Sequence, residues 1–196
     1  DEINRAPAKT QAALFEAMAE RQITMDGIEY GMQPPFLVFA TQNPIEQEGT
    51  YRLPEAQLDR FLFKINVYYP SLEEEIQILE SKHEQKTKVE EDLVSTFLSA
   101  AEIAEYQNTI RSIIVEKNLL KYIASIVDNT RSNANLYLGA SPRASISIME
   151  ASKALAAING RDFVTPEDIK KVAAPVLARR IMLTPEREME GLTAEQ

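Results

Sequence analysis

An α/β layer followed by a helical bundle is the fold class this sequence predicts, and three observations carry it. Short apolar runs bounded by turn residues fill positions 1 to 70 of the 196. From Ser71 onward apolar residues recur at the spacing of helices buried on one side. Pro70 marks the change of texture, so 1–70 and 71–196 are expected to form two units.

In chain order, Ala6-Pro7 opens a helix, because proline suits the first helical position. Leu14, Ala17, Met18 and Arg21 trace a mixed face on it. Ile23 to Tyr30 reads as a hairpin, since Asp26-Gly27 supplies the positive φ of a two-residue turn. Phe36-Leu37-Val38-Phe39-Ala40 is a continuous apolar run between Pro34-Pro35 and Asn43-Pro44, the pattern of a strand covered on both faces. Phe61 to Tyr69 resembles a second such strand, with Tyr68-Tyr69 expected to pack between the two units.

The second unit is predicted from helix starts. Ser71 with Glu74 forms a capping box, followed by the stripe Leu72, Ile76 and Leu79. Positions 99 to 114 and 116 to 130 continue the helical period, with Leu119, Leu120, Ile123, Ile126 and Val127 on one face. Ser141-Pro142 starts a helix carrying Ile148, Ala151, Leu155 and Ile158, and Thr165-Pro166 starts the last.

Composition excludes several chemistries. With no Cys and a single His, His83, the 196 residues cannot supply Cys-ligated zinc, a disulfide, thiol catalysis or a multi-His metal site. Thirty acidic against 21 basic residues give a net charge of −9, which argues against broad nucleic-acid or anionic-membrane binding. No run approaches the roughly 18 apolar residues of a membrane span. The absence of cysteine fits a reducing, cytoplasmic setting.

Four polar clusters are candidates for chemistry. Asp1-Glu2 pairs two acids, of which one can help hold Mg²⁺ and the other orient and deprotonate a water; a solvated pair is the alternative. Thr41-Gln42-Asn43-Pro44 puts an amide after an apolar run, on the rim where α/β sheets bind ligands, or simply in a turn before proline. Gly49 to Phe61 holds Arg52, Glu55, Asp59 and Arg60, suited either to a neighbour's phosphate site or to structural ion pairs. Arg143 falls in the first turn of a helix, where a cation opposes the dipole; an anion bound there would compensate it, and a plain surface arginine is the other reading.

Taken in order, DEINRAPAKTQAALFEAM, FATQNPIEQEGTYRLPEAQLDRF and GASPRA closely resemble the MoxR family of AAA+ ATPases, along the whole chain. The resemblance implies the C-terminal part of a P-loop NTPase core in 1–70 and a helical lid domain in 71–196. It implies that Asp1 and Glu2 are the Walker B pair closing a strand, Asp1 toward Mg²⁺ and Glu2 toward the hydrolytic water. Asn43 would be the sensor 1 residue, Arg60 the arginine finger acting on the adjacent protomer, and Arg143 the sensor 2 arginine facing ATP. The hairpin at 22 to 30 would be the pre-sensor 1 hairpin, facing a central pore or partner.

The implied protein binds ATP with Mg²⁺, assembles into a ring, expected to be a hexamer, and remodels or activates a protein client in the manner of a chaperone. Arg52 stands where the family commonly has proline and is a candidate second trans-acting arginine, and Ala178-Arg179-Arg180 replaces the more usual Arg-His-Arg. The phosphate-binding loop G-x-x-x-x-G-K-S/T occurs nowhere in the 196 residues. The chain therefore reads as the second portion of an AAA+ module, cut from a larger protein and inactive by itself. Two other classes fit the same residues: a helical adaptor whose acids and arginines are structural, and a DNA-acting helicase or initiator relative, which the acidic balance disfavours. Residues 93 to 185, which include Arg143, carry a net charge of +3, against −5 for 71 to 92 and −3 for 186 to 196.

Overall fold

The local signals that need only neighbouring residues hold in the structure. A computed structural model describes residues 1–42, 53–84 and 95–194. After a 3₁₀ turn at Ile3–Arg5, helix α1 spans Ala8–Glu20, one residue later than the proline suggests, with Pro7 as its N-cap. Strands β1 (Gln22–Met25) and β2 (Ile28–Gly31) pair antiparallel, with Ile23 opposite Tyr30 and Met25 opposite Ile28. Asp26 and Gly27 both take positive φ, 53° and 78°, as the two-residue turn between right-twisted strands requires. A short helix, α2, covers Glu55–Leu58.

Two expected strands do not form. Neither 36–40 nor 61–69 joins a hydrogen-bonded ladder among the described residues. A strand is defined by its partner, and an apolar run without one stays extended with its side chains unevenly covered. Leu37 and Phe39 are exposed while Ala40, on the other side of the run, packs against Ile3, Phe15 and Leu53. Tyr68 and Tyr69 are likewise exposed, so they do not pack between the two units. Asp1-Glu2 also lies outside any strand: Glu2 has left-handed backbone, φ 45°, at the entry to the 3₁₀ turn.

Helix α3 (Leu72–Glu84) starts at the expected capping box, Ser71 N donating to Glu74 at 2.8 Å and Glu74 N to Ser71 Oγ at 3.3 Å. Its stripe of Leu72, Ile76 and Leu79 is exposed rather than buried. Helix α4 (Ala100–Ser112) has a second capping box, Ser99 with Glu102. Helices α5 (Lys117–Ser132), α6 (Pro142–Ile158) and α7 (Pro166–Leu177) enclose the main core. Ile123, Val127, Ile148, Ile169 and Val176 are almost fully buried in it. Leu119, Ile126 and Leu155 pack on its edge, whereas Leu120 and Ile158 face outward. A small antiparallel pair, β3 (Leu136–Leu138) with β4 (Met182–Leu183), and a last helix α8 (Pro185–Met189) were not anticipated.

One ion pair fixes the start of α7. Asp168, 4% exposed at its side chain, takes both Arg161 terminal nitrogens, at 2.6 and 2.8 Å, and caps the helix through Thr165 N at 2.8 Å. The Arg161 guanidinium, with help from the Thr165 donors and against the cost of burial, holds the Asp168 carboxyl down at about 2, from an ordinary 3.8. A depressed acid stabilises the fold above its unfolded value and loses that contribution as pH falls toward its folded value. Asp168 should therefore contribute about 2 kcal/mol above pH 4, fading between pH 4 and 2. Asp168→Asn should lower the unfolding free energy at neutral pH by that amount, read from denaturant melts, and flatten the acid limb over this interval. An unaltered acid limb would show the pair to be energetically silent.

Candidate active site

Two groups of candidate side chains emerge. The first is built on Thr41, at the end of the apolar run. Its hydroxyl donates to the Asp1 carboxylate and accepts the Glu2 N–H at 2.8 Å, and its carbonyl accepts the Ile3 N–H at 3.0 Å. One residue thus holds the Asp1 carboxylate and the Glu2 backbone beside the segment that leads into position 43. The left-handed backbone of Glu2, rare for a side chain with a Cβ, is held by these bonds and by Arg5 N donating to Glu2 O at 2.8 Å. Arg5 Nε also meets the Glu2 carboxylate at 2.9 Å, a partner that sequence reasoning missed. Asn43 and Arg52 lie outside the described residues.

The donor set at this point suits magnesium. Mg²⁺ typically takes one or two carboxylates and completes its shell with water and phosphate oxygens, so it needs no all-protein cage. Asp1 with the adjacent Thr41 hydroxyl offers such a partial shell. Among the described residues no cluster of three or more acids, histidines or cysteines forms a dedicated metal cage.

The second group joins Asp59 to residues of the helical part, Ser141, Arg143 and Arg180. Its carboxylate accepts Arg180 Nε at 2.8 Å on one oxygen and Ser141 Oγ at 2.9 Å on the other. The same Ser141 hydroxyl caps α6 by accepting the Arg143 N–H at 3.2 Å. Arg143 itself stays 57% exposed, its guanidinium 3.9 Å from Asp59. The anion that a cation in the first turn calls for is therefore partly supplied from within the chain, and loosely. The loop before α6 is pinned by Arg131 Nε to Ala140 O at 2.9 Å and by Ala140 N to Thr130 Oγ1 at 2.9 Å. Gly139 is needed there, since a Cβ would lie 2.7 Å from Arg131 Cα and from Thr130 O.

Arg60 follows Asp59 and is exposed, with one long bond, 3.4 Å, to Phe15 O. Its neighbours are held much more firmly. Arg180, 2% exposed at its side chain, shares its five N–H donors among Asp59, Ser147 and the carbonyls of Asp59, Phe61, Leu62 and Val176. Burial pushes its guanidinium downward while Asp59 opposes the shift. Arg179 donates to Leu58 O and lies 5.8 Å over the Phe61 ring; desolvation, reinforced by Arg180, lowers it to about 9. Neither role was foreseen; the sequence signals are a charged pair directly after the apolar Val176-Leu177-Ala178 and its place in the segment where the resemblance expects Arg-His-Arg. No described helix is long and apolar enough to cross a membrane.

These elements define a class before they define a family: an acid pair clasped by a polar residue after an apolar run, and a helical unit whose arginines fasten the segment around Asp59. Residues 1–63 match the model of the ATPase family associated with various cellular activities (AAA), and residues 128–196 match the AAA lid domain. The chain is 44% identical over 195 residues to the uncharacterized protein YeaC of Bacillus subtilis, covering all of this chain and 60% of that one. It is 45% identical over 193 residues to chaperone MoxR1 of Mycobacterium tuberculosis, covering 94% of this chain and 50% of the relative. The crystal structure of a proposed ATPase from Cytophaga hutchinsonii superposes with a TM-score of 0.91 at 42% identity, covering all of this chain and 61% of the other. The chain belongs to the MoxR family of AAA+ ATPases, and it spans about half to three-fifths of the length of these relatives.

Proposed function

We propose that the full-length protein binds and hydrolyses ATP with Mg²⁺ and uses the cycle to remodel or activate a protein client, as a chaperone-like ring. The observation that most supports this reading is Thr41 holding Asp1 and Glu2 together beside the segment leading to Asn43. Residues 1–70 are assigned to the nucleotide-binding core and 71–196 to the lid. Asp1 helps hold the magnesium, which when bound offsets phosphate charge. Glu2 orients and deprotonates the attacking water, and Asn43 aligns it. Arg60 acts on the nucleotide of the adjacent protomer, in a ring taken to be hexameric, and Arg143 leaves its loose contact with Asp59 to meet the γ-phosphate. A cytoplasmic setting belongs to the same reading. Without a phosphate-binding loop in their sequence, these 196 residues alone should neither hold ATP tightly nor turn it over.

The reading is tested on the full-length protein. Its Mg²⁺-dependent ATP turnover should fall about tenfold in Arg143→Ala, with a raised KM, since a charge-assisted bond to phosphate is worth about 1.5–3 kcal/mol. Unchanged turnover and KM would remove Arg143 from the site. Lack of Mg²⁺-dependent hydrolysis by the full-length wild type would remove the whole reading.

A further inference from the structure

Arg60 occupies a segment with almost no regular structure after Leu58, yet its flanks are held from a distant part of the chain. Arg179 takes the carbonyl of Leu58, and Arg180 takes those of Asp59, Phe61 and Leu62 together with the Asp59 carboxylate. Two residues further on, Lys64 N donates to Pro175 O of α7 at 3.1 Å. The backbone on both sides of Arg60 is therefore fastened to the C-terminal end of one helix. The Ser141 hydroxyl, at the N-terminus of α6, adds a bond to Asp59. Arg60 itself is exposed, and among the described residues its side chain makes one bond, at 3.4 Å to Phe15 O.

The planar guanidinium of Arg180, bonded to several groups of this segment at once, orients it better than a rotating ammonium can, because its bonds must be satisfied together, and Arg179 adds one bond, to Leu58 O. We infer that Arg179 and Arg180 are positioning residues through which the helical unit sets the direction of Arg60. The inference rests on the reading of Arg60 as the residue that acts on a neighbouring protomer's nucleotide. On this account a displacement of α7 moves the Leu58–Leu62 carbonyls with it, so lid movement in one protomer changes hydrolysis in the next. Neither arginine touches nucleotide in this scheme.

The test uses the full-length protein and steady-state ATP hydrolysis. Arg180→Lys keeps the charge and loses the fork, and it should lower kcat roughly ten- to a hundredfold, the usual cost of a misplaced catalytic group, while KM for ATP stays put. Combined with Arg60→Ala it should be no slower than Arg60→Ala alone, because a residue that acts through Arg60 has nothing left to position. Added loss in the double variant, or a raised KM in Arg180→Lys, would overturn the inference. Should Arg180→Lys fail to fold by thermal melting, Arg179→Lys, altering a half-buried side chain, carries the test, with about a severalfold fall in kcat expected in the same pattern. Normal turnover in the Lys variants beside a slow Arg60→Ala sinks the positioning role alone. A fully active Arg60→Ala sinks the reading of Arg60 and this inference with it.

Discussion

Glu2→Gln in the full-length protein should cut ATP turnover by roughly a hundredfold or more, the usual worth of a positioned general base, while nucleotide binding persists. The geometry makes this a clean substitution. Thr41 bonds the backbone N–H of residue 2 and the carboxylate of residue 1, so the Glu2 side chain is not what holds the clasp together. A glutamine oxygen can still accept from Arg5, which lies 2.9 Å away. What disappears is the ability to take a proton from water. Retained ATP binding with lost turnover, read by nucleotide affinity and phosphate release, is the expected pair of results. Undiminished release would remove Glu2 from the role.

Arg60→Ala should have the larger effect on turnover, about a thousandfold if the guanidinium stabilises the transition state of a neighbour's γ-phosphate. Its effect on stability should be small, within about 0.5 kcal/mol, because the side chain is exposed and makes one long bond among the described residues. KM for ATP should change little, since the missing charge would act in the transition state rather than on bound substrate. A variant with normal kcat would leave Arg60 as a surface residue.

The contrast between Arg60 and Arg180 also explains how much could be read from the sequence. Helix starts at Ser71, Ser141 and Thr165 and the turn at Asp26-Gly27 were legible because each depends on residues within a few positions. The runs 36–40 and 61–69 have strand-like patterns but join no ladder among the described residues, since pairing depends on a partner that local pattern cannot supply. The Asp1-Glu2 pair was legible as chemistry, but its clasp by Thr41 joins residues 40 positions apart. Arg180 and Asp59 are 121 positions apart, and no spacing rule reaches that far. Arg143 was expected to need an anion; that Asp59 partly answers the need is a fact of tertiary packing. The motif order, rather than any single motif, pointed to the family.

In the proposed cycle hydrolysis is shared between protomers, Glu2 coming from one and Arg60 from the next. Full-length Glu2→Gln and Arg60→Ala subunits, each nearly inactive, can be mixed, allowed to co-assemble and assayed for ATP turnover. Mixed rings contain interfaces at which an intact Glu2 faces an intact Arg60, so activity should rise well above that of either variant alone. A co-assembled mixture no more active than its components would contradict the claim.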